Sequence, residues 1–339
     1  MLDFLDVAPP APGAAATVAP GLWWLRMELP FALDHINLWL TEEAEQGWGV
    51  VDTGFADDRT RALWEQLFTG VMRGHPLTRL IATHFHPDHL GLAAWLEARF
   101  AVPLETTLGE WAFGRALCLD DSRDHVDATI AFYRGAGMDD AAVAAARRRG
   151  NVYRHSVPAV PVNFVRLRDG DVLSLAGRRW RVVIGEGHSV EQACLWCEQD
   201  GLLIAGDQIL PSITPNVGVW PTEPKANPLK EFFQSLERFR SLPAETLVLP
   251  SHGLPFRGLR QRVDALVRHH QERLERCLTA CRQPATATEL LPTLFQRPLD
   301  SFQTSMAVGE ALAHLHYLVE TGEMVADTDA GGVHRFRCR

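Results

Sequence analysis

The chain has 339 residues, 46% of them apolar and 22% charged, with a formal net charge of −9 from 33 basic and 42 acidic side chains. That is enough chain for one large domain plus an appendage, with a core that needs no covalent staples. The acidic balance argues against a polyanion held by a general basic field. No apolar run reaches about 18 residues, so no membrane span is expected. The proline-broken start MLDFLDVAPPAPGAAATVAPG lacks a basic leader, which leaves a cytoplasmic location as the default expectation. Cys118, Cys194, Cys197, Cys277, Cys281 and Cys338 are too few for a disulfide framework. Cys194-x-x-Cys197 sits in a strand-like run with no second pair nearby, which favours packing over redox or zinc chemistry.

In chain order, residues 1–20 read as a Pro/Ala-rich arm. Strand patterns follow at LWWLRMEL, HINLWLTE and GWGVVDTG. Residues 58–72 carry helical spacing through Leu63, Trp64, Leu67 and Val71. TRLIATHF (78–85) suits a buried strand, and DHLGLAAWLEARF (88–100) reads as a helix directly after it. Residues 107–150 are Ala-rich, charged and helical in pattern, so a helical insertion of about 107–155 interrupts a domain spanning 21–258. Strands return at VNFVRL, DVLSL, RRWRVVIGEG, ACLWCEQ and GLLIAGDQ. A helix at 228–241, a strand at TLVLPSHG and an amphipathic helix at 259–282 complete this part. The C-terminal region, 259–339, then adds a short helix (TELLPTLF), a longer one (AVGEALAHLHYLVETG) and a hairpin (EMVADTDAGGVHRFR), a winged-helix-like order.

The run THFHPDHLG (83–91) places His84, His86, Asp88 and His89 within six residues. A strand that ends in a tight turn can send such side chains into one cavity. Imidazole and carboxylate together suit zinc, iron or manganese. Four candidate ligands exceed what one tetrahedral catalytic metal needs beside a water, which suggests two adjacent metals. More ligands are then required, and three stand at the ends of apolar runs: His188 after RVVIGEG, Asp207 after LLIAG and His252 after TLVLPS. Asp52 in GVVDTG has the same layout. His314 and His316, two apart on a helix, are poor joint ligands.

The HxHxDH run and the later His, Asp and His, in that order, resemble the metallo-β-lactamase superfamily over roughly residues 20–260. The resemblance implies an α/β fold, an αββα sandwich with its site at one edge between two sheets. It implies two divalent metal ions, zinc first with iron or manganese as alternatives. His84, His86 and His188 would hold one, Asp88, His89 and His252 the other, with Asp207 and a hydroxide bridging them and Asp52 orienting ligands from behind. The implied chemistry is attack of that hydroxide on a carbonyl or phosphorus, with Asp88 as the catalytic group that orients it.

Within the superfamily, Asp at 207 departs from the Cys of many zinc β-lactamases, and His86 departs from the Glu of flavodiiron reductases. GEGHSVEQ lacks the Gly that follows the third His in glyoxalase II enzymes. Residues 213–242, LVLPSHG (247–253) and AHLHYLVETGEMV resemble the β-lactamase-like-protein-2 group, glyoxalase-II-like hydrolases with a C-terminal winged-helix cap. One member of that group cuts single-stranded RNA. The expected function is hydrolysis of an ester or thioester of acyl-CoA or acyl-glutathione type. Two alternatives stand beside it: a metal-dependent endoribonuclease or phosphodiesterase on single-stranded RNA, and a non-catalytic regulatory protein that retains its metal. Residues 284–339 carry four Arg, no Lys and seven acidic side chains, which disfavours nucleic acid as a partner. The expected partners are a small-molecule substrate and a second copy of the chain. Trp111, Phe113, Phe132 and Tyr133 in the insertion either cap a bulky substrate or pack the insertion itself. Arg147–Arg149 and Arg154 either line the site mouth for an anion or solvate a helix end.

Overall fold

The computed structural model of the protein describes residues 2–43 and 47–339. The chain divides into two units. The first comprises Met1–Leu119, Tyr153–Pro215 and Arg238–Arg262, and the second Asp120–Val152, Asn216–Glu237 and Val263–Arg339. In chain order the elements begin β1 (Asp3–Phe4), β2 (Ala15–Ala19), β3 (Leu22–Glu28), β4 (His35–Glu43), β5 (Gly47–Val51), α1 (Asp58–Thr69), β6 (Leu77–Ile81), α2 (Pro87–Leu90), α3 (Ala93–Phe100), β7 (Leu104–Thr106) and α4 (Leu108–Leu119). Next come α5 (Arg123–Gly135), α6 (Asp140–Arg149), α7 (Tyr153–Ser156), β8 (Phe164–Arg166), β9 (Val172–Leu175), β10 (Arg178–Gly185), β11 (Gln192–Cys197) and β12 (Leu202–Gly206). The chain ends with α8 (Pro228–Arg240), β13 (Leu247–Pro250), β14 (Phe256–Arg257), α9 (Leu259–Ala280), α10 (Leu291–Leu294), α11 (Ser301–Glu320), β15 (Met324–Thr328) and β16 (His334–Cys338).

In the first unit the strands form two seven-stranded sheets, ordered β2-β3-β4-β5-β6-β7-β8 and β1-β14-β13-β12-β11-β10-β9. Alternation along each strand decides what each face meets. Leu22, Trp24, Trp39, Val51 and Ile81 of one sheet pack against Trp180, Val182, Ile184, Ala193, Leu195, Ile204 and Leu249 of the other. The intervening residues Leu25, Met27, Leu38, Val50 and Leu80 face the opposite way, onto Trp64, Leu67 and Phe68 of α1 and Leu96 of α3. Each such large side chain, fully buried, stabilises the sandwich by about 1.5–3 kcal/mol. Residues 1–20, which read as an arm, supply outer strands to both sheets, β2 against β3 and β1 against β14.

Strand direction gathers the ends that matter. β5 and β6 pair in parallel, as do β12 and β13. β10 and β12 both pair antiparallel with β11 and so run the same way. The helix expected over 88–100 is two pieces, α2 and α3, interrupted at Gly91–Leu92. A Cβ on Gly91 would stand 2.8 Å from the Gly54 carbonyl oxygen and 2.9 Å from the Ala56 nitrogen, so only glycine lets the two segments meet. Cys194 and Cys197 are free and buried. Three apart on β11, they point to opposite faces, and burial pushes the Cys194 thiol up to about 12.

In the second unit, α5 and α6 start on side-chain caps from Ser122 and Asp139. Arg147 in the last turn of α6 pairs with Asp127 at 3.0 Å, and Arg149 donates to Ser305 Oγ at 2.7 Å. The helix, helix, hairpin order of the tail is the order observed, with α11 opened by an Asp300/Gln303 capping box and β15 antiparallel to β16. His316 donates from Nδ1 to the Ala226 carbonyl at 2.8 Å. His314 turns elsewhere: its Nδ1 donates to the Glu310 carbonyl at 2.7 Å, and its Nε2 accepts from His270 Nδ1 at 3.1 Å.

Both members of this buried pair are held neutral. Burial, with Arg273 and His269 nearby, pulls His270 well below the usual histidine range and His314 down to about 4. The unfolded chain therefore takes up protons that the folded unit refuses, and stability falls as pH drops from about 6.5. The slope is about 1.4 kcal/mol per pH unit for each proton. Amide exchange in α9 and α11, corrected for its intrinsic pH dependence, is expected to accelerate between pH 6.5 and 4 and to do so less in His314→Gln. An identical profile in the variant contradicts this origin.

Candidate metal centre

The side chains of His84, His86, Asp88, His89, His188, Asp207 and His252 meet beyond the C-terminal ends of β6, β10, β12 and β13 in the first unit. β6 stops at Ile81 and the chain bends through Thr83–Phe85. His86 stands at the N-cap of α2, with Pro87 at the first helical position, where its missing N–H costs nothing. The single turn of α2 then carries Asp88 and His89. Gly206, just ahead of Asp207, has φ +53°, and a Cβ there would lie 3.0 Å from Gln192 Nε2. Asp52 itself sits at φ +68°, a left-handed conformation that costs about 1 kcal/mol for a residue with a Cβ.

Two trios share one carboxylate. The nearest candidate ligand atoms of His84, His86, His188 and Asp207 lie within 4.8 Å of one another, and so do those of Asp88, His89 and His252. His84 Nε2 is 2.9 Å from His86 Nδ1. Asp207 Oδ2 is 3.4 Å from His188 Nε2, while Oδ1 is 3.5 Å from His89 Nε2 and 3.3 Å from His252 Nε2. Asp88 Oδ2 is 3.4 Å from His252 Nε2.

Hydrogen bonds behind the imidazoles set their orientation. His89 Nδ1 donates to Asp52 Oδ2 at 2.8 Å. His84 Nδ1 donates to Thr83 Oγ1 at 3.0 Å, and that hydroxyl donates on to Asp52. His252 Nδ1 donates to the His35 carbonyl at 2.7 Å. Each ring thus turns its Nε2 toward the centre. Among the described residues, His89 Nε2 and Asp207 Oδ1 are buried without a hydrogen bond, a cost of about 1–3 kcal/mol each. Inward-facing Nε2 atoms, orphaned buried atoms and an imidazole–carboxylate donor set fit a divalent metal.

The electrostatics differ between the two trios. Burial and neighbouring histidines hold His84 and His86 well below the usual range, hence neutral, as a ligand must be. Burial opposes charge on His89 and His252 too, but the carboxylates around them hold both above the usual range. Burial likewise works against ionised Asp207, and His252 and His89 overcome it, holding the carboxyl well below the usual range.

Several supporting residues carried no sequence signal. Asn37 on β4 donates to the carbonyls of Pro250 and Gly253, 2.9 Å each, latching the His252 loop to the opposite sheet. Arg238 donates to the Ile184 carbonyl and to Glu186, both at 3.0 Å, just before His188. Glu110 on α4 is fully buried, and burial raises its carboxyl to about 7. Trp111 stacks on Phe164 at 4.6 Å, so part of its ring is spent on packing.

Comparison with known proteins identifies the family. A family model described as the metallo-beta-lactamase superfamily matches residues 33–252, and one described as the metallo-beta-lactamase-like C-terminal domain matches residues 274–339. A beta-lactamase domain protein from Burkholderia ambifaria is 44% identical, with a TM-score of 0.92 over 100% of this chain and 98% of that one. A metallo-beta-lactamase family protein from Thermus thermophilus is 32% identical, with a TM-score of 0.80 over 95% and 100%. The chain belongs to the metallo-β-lactamase superfamily and is a hydrolase of it. Its curated relatives include an atrochrysone carboxyl ACP thioesterase of Aspergillus fumigatus, 24% identical over 73% of this chain and 64% of that protein. A hydroxyacylglutathione hydrolase of Methylococcus capsulatus is 26% identical over 63% and 80%, and a probable metallo-hydrolase of Bacillus subtilis 24% identical over 87% and 91%. The chain thus spans just under two thirds of that thioesterase. Among the described residues, no helix is long and apolar enough to cross a membrane.

Asp52→Asn keeps the shape of the side chain but weakens the bond to His89 Nδ1. Metal affinity is expected to fall about 10- to 100-fold, read as metal per chain after equilibration with graded chelator. Unchanged affinity contradicts the orienting role.

Proposed function

We propose that the protein hydrolyses thioesters or esters of small acyl carriers, with two divalent ions. His84, His86 and His188 hold one, Asp88, His89 and His252 the other, and Asp207 is shared. The observation that carries this reading is the Asp207 carboxylate, which turns one oxygen to each trio. When bound, two such ions make water acidic enough to ionise near neutral pH and polarise a scissile carbonyl. Zinc, iron and manganese all suit these donors.

The chain's own residues supply the rest. Asp88 is the more open of the two central carboxylates, with 17% of its side chain exposed against 9% for Asp207. It is the catalytic group proposed to orient the attacking water and receive its proton. Asp52 and Thr83 accept from Nδ1 of His89 and His84 and so turn Nε2 of each ring inward. The thioester assignment is supported by relatives named as a thioesterase and a hydroxyacylglutathione hydrolase.

Thiol release from a panel of acyl-CoA and acyl-glutathione thioesters tests this directly. The wild type is expected to turn over, and Asp88→Ala to lose about 100-fold or more in kcat, with metal content measured on both. A fully metallated wild type that releases no thiol contradicts the thioester reading.

A further inference from the structure

Phe85 lies between His84 and His86, and both of its peptide groups are held from outside the metal cluster. Its N–H donates to Glu110 Oε2 at 2.9 Å, and its carbonyl accepts from the Tyr153 hydroxyl at 2.6 Å. The other oxygen of Glu110 reaches the loop after His188: Oε1 accepts from Ser189 Oγ and from the Glu191 N–H, each at 2.7 Å. One buried carboxylate therefore ties together the two segments that carry all three histidines of the first proposed metal. The docking is specific to the helix face. Glu110, Gly114 and Cys118 form the buried stripe of α4, and a Cβ on Gly114 would stand 2.7 Å from Leu90, 3.1 Å from the Tyr153 hydroxyl and 3.3 Å from Phe85. Glycine at 114 lets the helix come close enough for Glu110 to reach the loop.

We infer that Glu110, seconded by Tyr153, is a positioning residue for the three-histidine metal subsite. It fixes the spacing of His84 and His86 relative to His188 through Phe85, Ser189 and Glu191. This rests on the two-metal reading above. Glu110 touches neither metal nor substrate, so its effect passes through ligand geometry. The N–H groups of Phe85 and Glu191 can only donate, so both oxygens of Glu110 serve as acceptors. In Glu110→Gln, whichever way the amide turns, its NH2 faces the N–H of Phe85 or that of Glu191, donor against donor.

The test is metal binding by the full chain, read with zinc under graded chelator and with cobalt(II) by its visible spectrum. In Glu110→Gln, one of the two ions is expected to bind about 10- to 100-fold more weakly, with an altered cobalt band for that ion alone. Tyr153→Phe, which removes only the Phe85 carbonyl partner, should shift the same ion by less. Added metal should restore turnover in both variants. Two ions bound with wild-type affinity and spectrum in both variants would overturn the inference while leaving the two-metal reading intact. A wild-type protein that binds fewer than two ions would overturn that reading instead. If Glu110→Gln does not fold, Tyr153→Phe alone decides: a weakened single ion supports the inference, and unchanged binding overturns it.

Discussion

Seven ionisable side chains crowd one small volume behind two sheets, and the placement of Asp207 makes that arrangement tolerable. A histidine cluster with a nearby carboxylate, largely removed from water, is costly unless charges and lone pairs find partners. Asp207 stands between the trios, with one oxygen toward His188 and the other toward His89 and His252. His89 Nε2 and Asp207 Oδ1 remain buried there without a hydrogen bond. A cluster built this way is preorganised for cations: hydrogen bonds at Nδ1 aim Nε2 of His84, His89 and His252 inward.

The rest of the first unit serves that placement. Parallel pairing of β5 with β6 and of β12 with β13 brings Asp52, His84, Asp207 and His252 to strand ends that face one way. Asn37 crosses from one sheet to the other to hold the His252 loop, so the sandwich interface and the site share residues. Glu110 and Tyr153 do the same for the loop of His84 and His86. Strain at Asp52 and the close approach at Gly91 are local costs that the surrounding core, with Trp24, Trp39 and Trp180 fully buried, can sustain.

The candidate ligands were legible because each follows an apolar strand and a turn, a pattern that survives in a single sequence. His84, His86, Asp88 and His89 needed only the spacing of one run. His188, Asp207 and His252 needed the recurrence of strand, turn and ligand. The supporting shell was not legible, since its members act across long separations. Glu110 and Ser189 are 79 residues apart, and Asn37 and Gly253 are 216. A lone Glu in a helix that is otherwise Ala- and Leu-rich looks like a solvated residue until the helix is docked. The split of the expected 88–100 helix was hidden for a similar reason: it falls at Gly91, which the Gly54–Ala56 segment approaches too closely for a side chain. The reading of residues 1–20 as an arm missed short edge strands, whose pairing partners are distant in sequence.

The central claim is that Asp207 joins two ions, and crystals of the full chain grown with zinc would test it most directly. Anomalous scattering on the two sides of the zinc edge is expected to show two peaks, one among His84, His86 and His188 and one among Asp88, His89 and His252, with an Asp207 oxygen about 2.0–2.2 Å from each. A single peak in zinc-saturated crystals, or two peaks of which only one touches Asp207, would contradict the account.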